Sequence, residues 1–216
     1  MKDLGINIDK HLNFNRHRAI MIGNAKQKIH LLLRVFIIKE ANWLVKGFIT
    51  YILPVVSYCS VVWSPYLRGD IDAIKSVQKL FTKRIPELNK LSYSQRLIAL
   101  NLPSLERRRL WADLMFCFKI LRNFTNLEPD AFGLNRASGL TNGTTRGHPY
   151  KLLRDHNRIN VRKYFFANRV IDPCNSLPVS CVCSDTVIAF KNRVKQCNLD
   201  NFLFYTDALT TMHVDV

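Results

Sequence analysis

The sequence lacks the short signatures of the commoner nucleotide and hydrolytic chemistries. It has no G-x-x-x-x-G-K-[ST] loop to cradle phosphates, no G-x-S-x-G elbow to present a serine, and no H-E-x-x-H helix to hold zinc. Its histidines, at 11, 17, 30, 148, 156 and 213, are scattered, so hydrolase and nucleotide-binding classes lack support. Among Cys59, Cys117, Cys174, Cys181, Cys183 and Cys197 the only close pair is C-x-C, with no second close Cys or His pair to complete a zinc loop. No secretory n-region, h-region and cleavage site opens the chain at Met1, so the thiols read as reduced and the protein as intracellular, cytoplasmic or nuclear. Internal repeats and low-complexity tracts are absent, which argues against a solenoid.

Acidic side chains are scarce as well. There are 16 Asp and Glu against 32 Lys and Arg in 216 residues, a formal net charge of +16, and such an excess favours polyanionic partners. It is uneven: residues 1 to 108 hold 18 of the 32 basic residues but only 7 of the 16 acidic ones. A hydrophobic fraction of 48% is enough to close a core.

Periodicity points to a mainly α-helical chain. Leu4-Gly5-Ile6-Asn7-Ile8-Asp9 alternates like one short strand, with Gly5 weakening it. Helical spacing follows over Arg18 to Ile38 and Asn42 to Ser64, the latter to be kinked or broken by Pro54. Further helices are expected over Asp70 to Ile85 and Ser104 to about Phe124. Ser92 with Gln95 has capping-box spacing. From Asn123 to Asp155 the apolar period lapses, which marks a linker. Beyond it, Val161 to Asp172 and Asp185 to Cys197 fit short helices, with Pro173 and Pro178 bracketing an irregular stretch, and the tail after Thr206 reads as frayed.

Two features carry chemistry. On the first long helix Lys26, His30 and Arg34 flank the apolar stripe, and on the 70–85 helix Lys75, Lys79 and Lys83 form a row at i, i+4, i+8. Like charges so spaced destabilise a helix slightly, a cost that a phosphate backbone would offset; the bland reading is a solvated helix face. A second cluster, Arg146, His148, Lys151, Arg154, Arg158, Arg162, Lys163 and Arg169, is interleaved with Tyr150, Tyr164, Phe165 and Phe166, the mixture that single-strand binding uses. Against it, Phe165 and Phe166 at a helix start more often pack inward. Asp70 and Asp72 at i, i+2 point to different sides of a helix, so no metal dyad is expected there.

An ordered series of residues adds to this: Lys2-Asp3-Leu4-Gly5-Ile6, Phe14-x-x-His17, Tyr58-Cys59-x-x-Val62-Trp63-Ser64-Pro65-Tyr66, Val77-Gln78-Lys79-x-Phe81-Thr82-Lys83-Arg84-Ile85, and Tyr93-x-x-Arg96-Leu97-x-x-Leu100-x-Leu102-Pro103-Ser104-Leu105-x-x-Arg108-Arg109. It continues through Arg146-Gly147-His148, Asn175-Ser176-Leu177-Pro178 and Phe190-Lys191-x-Arg193. From about residue 2 to about residue 197 the chain resembles the C-terminal part of LINE-type non-LTR retrotransposon reverse transcriptases of the jockey and chicken-repeat type. The resemblance implies that Leu4 and Gly5 stand at the primer-grip junction of palm and thumb, and that the helices after them form a thumb holding a primer-template duplex. It also implies two Mg ions for a full-length parent, held by an Asp-Asp hairpin upstream; this chain contains no Asp-Asp, and no cofactor and no catalytic residue is expected in it. Cys174 departs from the pattern, which usually has tryptophan there.

The expected organisation is therefore the last strand of a palm (1–9), a helical thumb-like domain (10–124), a linker (125–158), a small basic helical module (159–205) and a tail (206–216). The expected partners are an RNA/DNA hybrid or other nucleic acid and the missing palm and fingers. Phosphate contacts are assigned to Lys26, Arg34, Lys75, Lys79 and Lys83, with Arg146, His148, Arg162 and Arg169 a second set. The rival readings are an inert relic of a mobile element and a basic protein inserted in a membrane through the apolar residues 44–63.

Overall fold

A computed structural model describes residues 1–11, 13–36, 40–137, 148–154 and 158–205. The chain is mainly helical, as its periodicity predicts, and it divides into two compact units, residues 1–108 with 204–216 and residues 109–203. The division falls inside a helix rather than in the expected linker. The described part of 125–158 is no spacer, because Leu134, His148 and Leu152 are buried and Arg136 bridges Leu152 in antiparallel fashion. The expected tail from 206 onward lies outside the described residues.

The first unit opens on a hairpin instead of one strand: β1 (Lys2–Asp3) pairs antiparallel with β2 (Ile6–Asn7). Leu4 and Gly5 form its two-residue turn, both at positive φ (43° and 88°), the type I′ arrangement that matches strand twist and favours glycine second. Alternation suggested continuous strand because a two-residue turn keeps the sequence period while reversing the chain.

Next come α1 (Asn15–Val35), α2 (Ala41–Gly47), α3 (Leu53–Ser57) and α4 (Ser60–Trp63). Pro54 does not break the second of the expected helices. A π-helical turn, Phe48–Ile52, carries α2 into α3, with the Leu53 N–H donating to the Phe48 carbonyl, so helical bonding runs unbroken up to the proline. The break comes later, at Cys59, whose φ of 49° is left-handed. At Gly47 a Cβ would stand 2.6 Å from a Leu32 methyl, so a side chain there would have to displace Leu32 where α1 and α2 meet.

The unit continues with α5 (Arg68–Lys83), α6 (Tyr93–Ala99) and the start of α7 (Leu105–Leu121). Ser92 and Gln95 make the capping box in full. Ala25, Ile29, Leu44, Phe48, Ile52, Trp63, Ile74, Val77, Phe81 and Ile85 are buried in one core, with the Phe48 and Phe81 rings stacked at 4.4 Å. Leu44, Phe48, Ile52, Leu53, Val56 and Trp63 of residues 44–63 are thus built into that core, whereas Ile49, Tyr51, Tyr58 and Val62 are exposed, and among the described residues no helix is long and apolar enough to cross a membrane.

A polar network sets how α5, α6 and α7 meet. Gln78, buried on the apolar face of α5, accepts from the Tyr93 hydroxyl (2.9 Å) and the Leu105 N–H (3.2 Å) and donates to the Pro103 carbonyl (3.1 Å). Below it, Arg96 donates to Thr82 Oγ1 and to the Leu91 carbonyl.

The second unit holds the rest of α7, then α8 (Asn160–Lys163), α9 (Phe166–Ser176), α10 (Val179–Val182) and α11 (Val187–Gln196). Helix α9 runs through Pro173, where a break was expected, since near a helix end the proline forfeits a single backbone bond. Phe118 stacks on Phe190 at 4.1 Å in its interior.

Replacing Gln78 by Leu removes one bond each from the Tyr93 hydroxyl, the Leu105 N–H and the Pro103 carbonyl. At about 1–3 kcal/mol for the buried Leu105 N–H and less for the two half-buried groups, the expected loss is about 2–4 kcal/mol. Denaturant titration measures it, and Tyr93→Phe, which leaves the other two bonds, should cost less.

Candidate nucleic-acid interface

Apolar spacing in α5 places Ile71, Ile74, Val77 and Phe81 inward, and this leaves the lysine row on the flank. Lys79 and Lys83 are exposed. Lys75 is half-buried, with its Nζ 3.1 Å from the centre of the Tyr205 ring and 5.2 Å from that of Tyr93, while Lys79 Nζ lies 5.7 Å from Tyr93. Tyr205 is itself fixed by its hydroxyl, 2.6 Å from Asp72 Oδ1, and the adjacent Phe204 N–H donates to Glu106. Residues 204 and 205 were expected to end the C-terminal module; they belong to the first unit and lie along α5.

On α1, Arg34 and His30 are exposed and Lys26 is half-buried, on the flank that the spacing indicated. Asp70, near the start of α5, pairs with Arg18 at 2.7 Å, which ties α5 to α1 and leaves this carboxylate unavailable as half of a metal dyad. Leu4 is exposed at the hairpin tip, and its carbonyl accepts from the Tyr58 hydroxyl at 3.0 Å. The Tyr58 carbonyl in turn accepts from Trp63 Nε1 at 2.7 Å, and Trp63 packs on buried His17. Burial, then Arg18, holds the His17 imidazole below its ordinary range.

The second set of assigned residues is largely redeployed. Arg146 lies outside the described residues. His148 is 2% exposed: one ring nitrogen, Nε2, is 3.1 Å from the Cys174 carbonyl, and the other, Nδ1, accepts from the Tyr150 N–H. Donation from Nε2 and acceptance at Nδ1 describe a neutral imidazole, and burial pushes its pKa down. It offers no face to a phosphate, which corrects the assignment. Arg169 is likewise withdrawn, because Nε and Nη2 form a bidentate pair with Asp113 at 2.8 and 2.9 Å and Nη1 donates to the Tyr164 carbonyl. Burial pushes the Asp113 carboxyl up, and Arg169 and then Arg109 pull it back.

Arg162 does remain exposed on α8, near exposed Arg158 and Lys163. The adjacent phenylalanines part company: Phe166 is buried against Phe116, whereas Phe165 is 55% exposed. Inward packing thus holds for one ring of the two.

Sequence reasoning did not identify Gln78, Asp113 or Asn175 as organising residues. The Asn175 side chain donates to the Leu152 carbonyl (2.9 Å) and accepts the Leu152 N–H (2.8 Å), as a strand neighbour would. A polar residue on an otherwise apolar face, as Gln78 is between Ile74 and Phe81, was the available signal. Among the described residues no group of three or more His, Cys, Asp or Glu side chains could hold a metal ion.

No family model matches the chain, and no solved structure matches it. An uncharacterized protein of Caenorhabditis elegans is 25% identical over 147 residues, which is 67% of this chain and 71% of the worm protein.

Two outcomes are expected. Arg169→Leu abandons the buried Asp113 carboxylate and should cost about 3–5 kcal/mol, the typical loss when one partner of a buried pair is removed; adding Asp113→Leu should recover much of it, read by thermal and denaturant midpoints. For His148, the depressed folded pKa means the unfolded chain binds the proton first. Its stabilising contribution is therefore complete above an unfolded value of about 6.5 and is lost as pH falls from there through the folded value. His148→Gln should flatten the stability-against-pH curve in that window.

Proposed function

We propose that this chain is the thumb-like part of a LINE-type reverse transcriptase and that it binds RNA/DNA hybrid through α5 and α1, by charge and shape rather than base sequence. The observation that carries the reading is the exposure of Lys79 and Lys83, with Lys75 beside them, on a helix locked by Gln78, Tyr93 and Arg96. A rigid row of cations spaced one helical turn apart suits phosphates along a duplex. Lys26 and Arg34 add to the field, and the net charge of +16 supports a polyanionic partner. The hairpin tip at Leu4 and Gly5, tethered by Tyr58, takes the primer-grip junction in this reading. Polymerisation belongs to a palm with its own metal-binding aspartates, and this chain serves by holding the primer-template.

Fluorescence anisotropy with a labelled hybrid of about 20 base pairs tests the proposal. Lys75→Glu, Lys79→Glu and Lys83→Glu together should abolish binding at moderate salt, and neutral Gln replacements should lower the slope of log K against log salt by about 3. Unchanged affinity in the triple Glu variant, with its helicity intact by circular dichroism, would refute it.

A further inference from the structure

The end of the chain has the opposite charge to the rest. After Lys195 come Asp200, Asp207 and Asp215 and no further Lys or Arg, in a protein of net charge +16. Phe204 and Tyr205, the described residues of this stretch that belong to the first unit, are aromatic neighbours whose ring centres are 5.8 Å apart. Their π faces are suited to lie against cations.

Helix α5 offers cations along one side. Arg68, Asp72 and Lys75 follow one another at i, i+4 and i+7, a spacing that stacks them on one line of the helix, and Lys79 and Lys83 continue that line. Phe204 and Tyr205 match its first half. The centre of the Phe204 ring lies 5.7 Å from Arg68 Cζ, the Tyr205 hydroxyl donates to Asp72 Oδ1 at 2.6 Å, and the centre of the Tyr205 ring is 3.1 Å from Lys75 Nζ. The backbone is fastened too, because the Phe204 N–H donates to Glu106 Oε1 at 2.6 Å. Lys75 Nζ therefore has the Tyr205 ring against it as well as the Tyr93 ring 5.2 Å away, whereas Lys79 and Lys83 are exposed.

We infer that Phe204 and Tyr205 form an autoinhibitory strap, which closes over Lys75 and must lift before a phosphate backbone can use the whole lysine row. The inference rests on the reading of α5 as the hybrid-binding helix. An ammonium with a ring centre at 3.1 Å has no open side in that direction, so the Tyr205 contact and a phosphate contact from that side exclude each other. The strap is fastened at the surface rather than driven into the core, since Phe204 stays 54% exposed. Closure favoured about 5-fold over the open state is the scale that a surface cation–ring contact supplies. By linkage the effect is reciprocal, and a hybrid that takes Lys75 expels the strap.

The test uses the full chain with Tyr205→Ala, which removes ring and hydroxyl together and leaves the net charge unchanged. With labelled hybrid in fluorescence anisotropy, the variant should bind about 5-fold more tightly than wild type, and Tyr205→Phe, which keeps the ring, should fall between them. Equal or weaker binding by Tyr205→Ala than by a wild type that binds would overturn the strap. A second readout needs no nucleic acid: acetylation by an N-hydroxysuccinimide ester, followed by peptide mass spectrometry. Lys75 should react more slowly than Lys79 in wild type, and about 5-fold faster in Tyr205→Ala than in wild type. An unchanged Lys75 rate would equally overturn the assignment. Absence of hybrid binding in both proteins sinks the thumb reading by itself, and Lys75 acetylation then decides the strap.

Discussion

The geometry of the first unit depends on one buried amide. Gln78 lies on the face of α5 where a hydrocarbon would be expected, and it answers a hydroxyl, an N–H and a carbonyl from three different positions. The Leu105 N–H is buried and the other two groups are half-buried, so one amide answering all three helps to set the spacing of α5, α6 and the start of α7. Tyr93 links this interior to the surface, because its hydroxyl reaches Gln78 while its ring lies near Lys75 and Lys79. Tyr93 therefore ties Lys75 and Lys79 to the same network that holds α5.

The same logic recasts the sequence blocks that carry the family resemblance. Tyr58 and Trp63 pin the hairpin turn at Leu4, and Gln78, Tyr93 and Arg96 belong to one network. His148 meets the Cys174 carbonyl, while Asn175, the next residue, clamps Leu152. The blocks far apart in sequence at 148 and 175 are therefore two halves of one structural joint. Residues that stand out in a sequence as candidate contacts are in these cases the polar joints of the fold, where few other side chains could satisfy the same buried groups.

Much of the architecture was legible, and the failures have physical causes. The helices α1, α5 and α7 and the capping box at Ser92 follow from periodicity and cap chemistry, which are local. The passage of α2 into α3 was not legible, because a π turn at Phe48–Ile52 lets a helix keep a proline, and no local residue announces it. The unit boundary inside α7 was invisible for a similar reason: a helix continues across it with unbroken propensity, whereas the polar stretch read as a linker contributes buried residues such as Leu134 and Leu152. Of the basic residues, those on long helices were placed correctly on flanks by their spacing. Arg169 and His148 were misread because charge and ring chemistry alone do not reveal a buried Asp113 or Cys174 carbonyl waiting opposite.

The lysine row also changes meaning once its surroundings are known. Repulsion at i, i+4 costs about 0.2–0.5 kcal/mol per pair, a cost that a phosphate backbone would offset. Tyr93 and Tyr205 already face Lys75, and ring contacts of that kind contribute about 0.5–1 kcal/mol each at exposed sites. The two magnitudes are comparable, so the row is stable without a ligand and its like charges are not by themselves a sign of one. What supports the proposed polyanionic partner is instead that Lys79 and Lys83 stay exposed on a helix whose orientation the Gln78 network has already fixed, so only the lysine side chains themselves remain to be ordered on binding. The case for the interface thus moves from electrostatic strain to preorganisation.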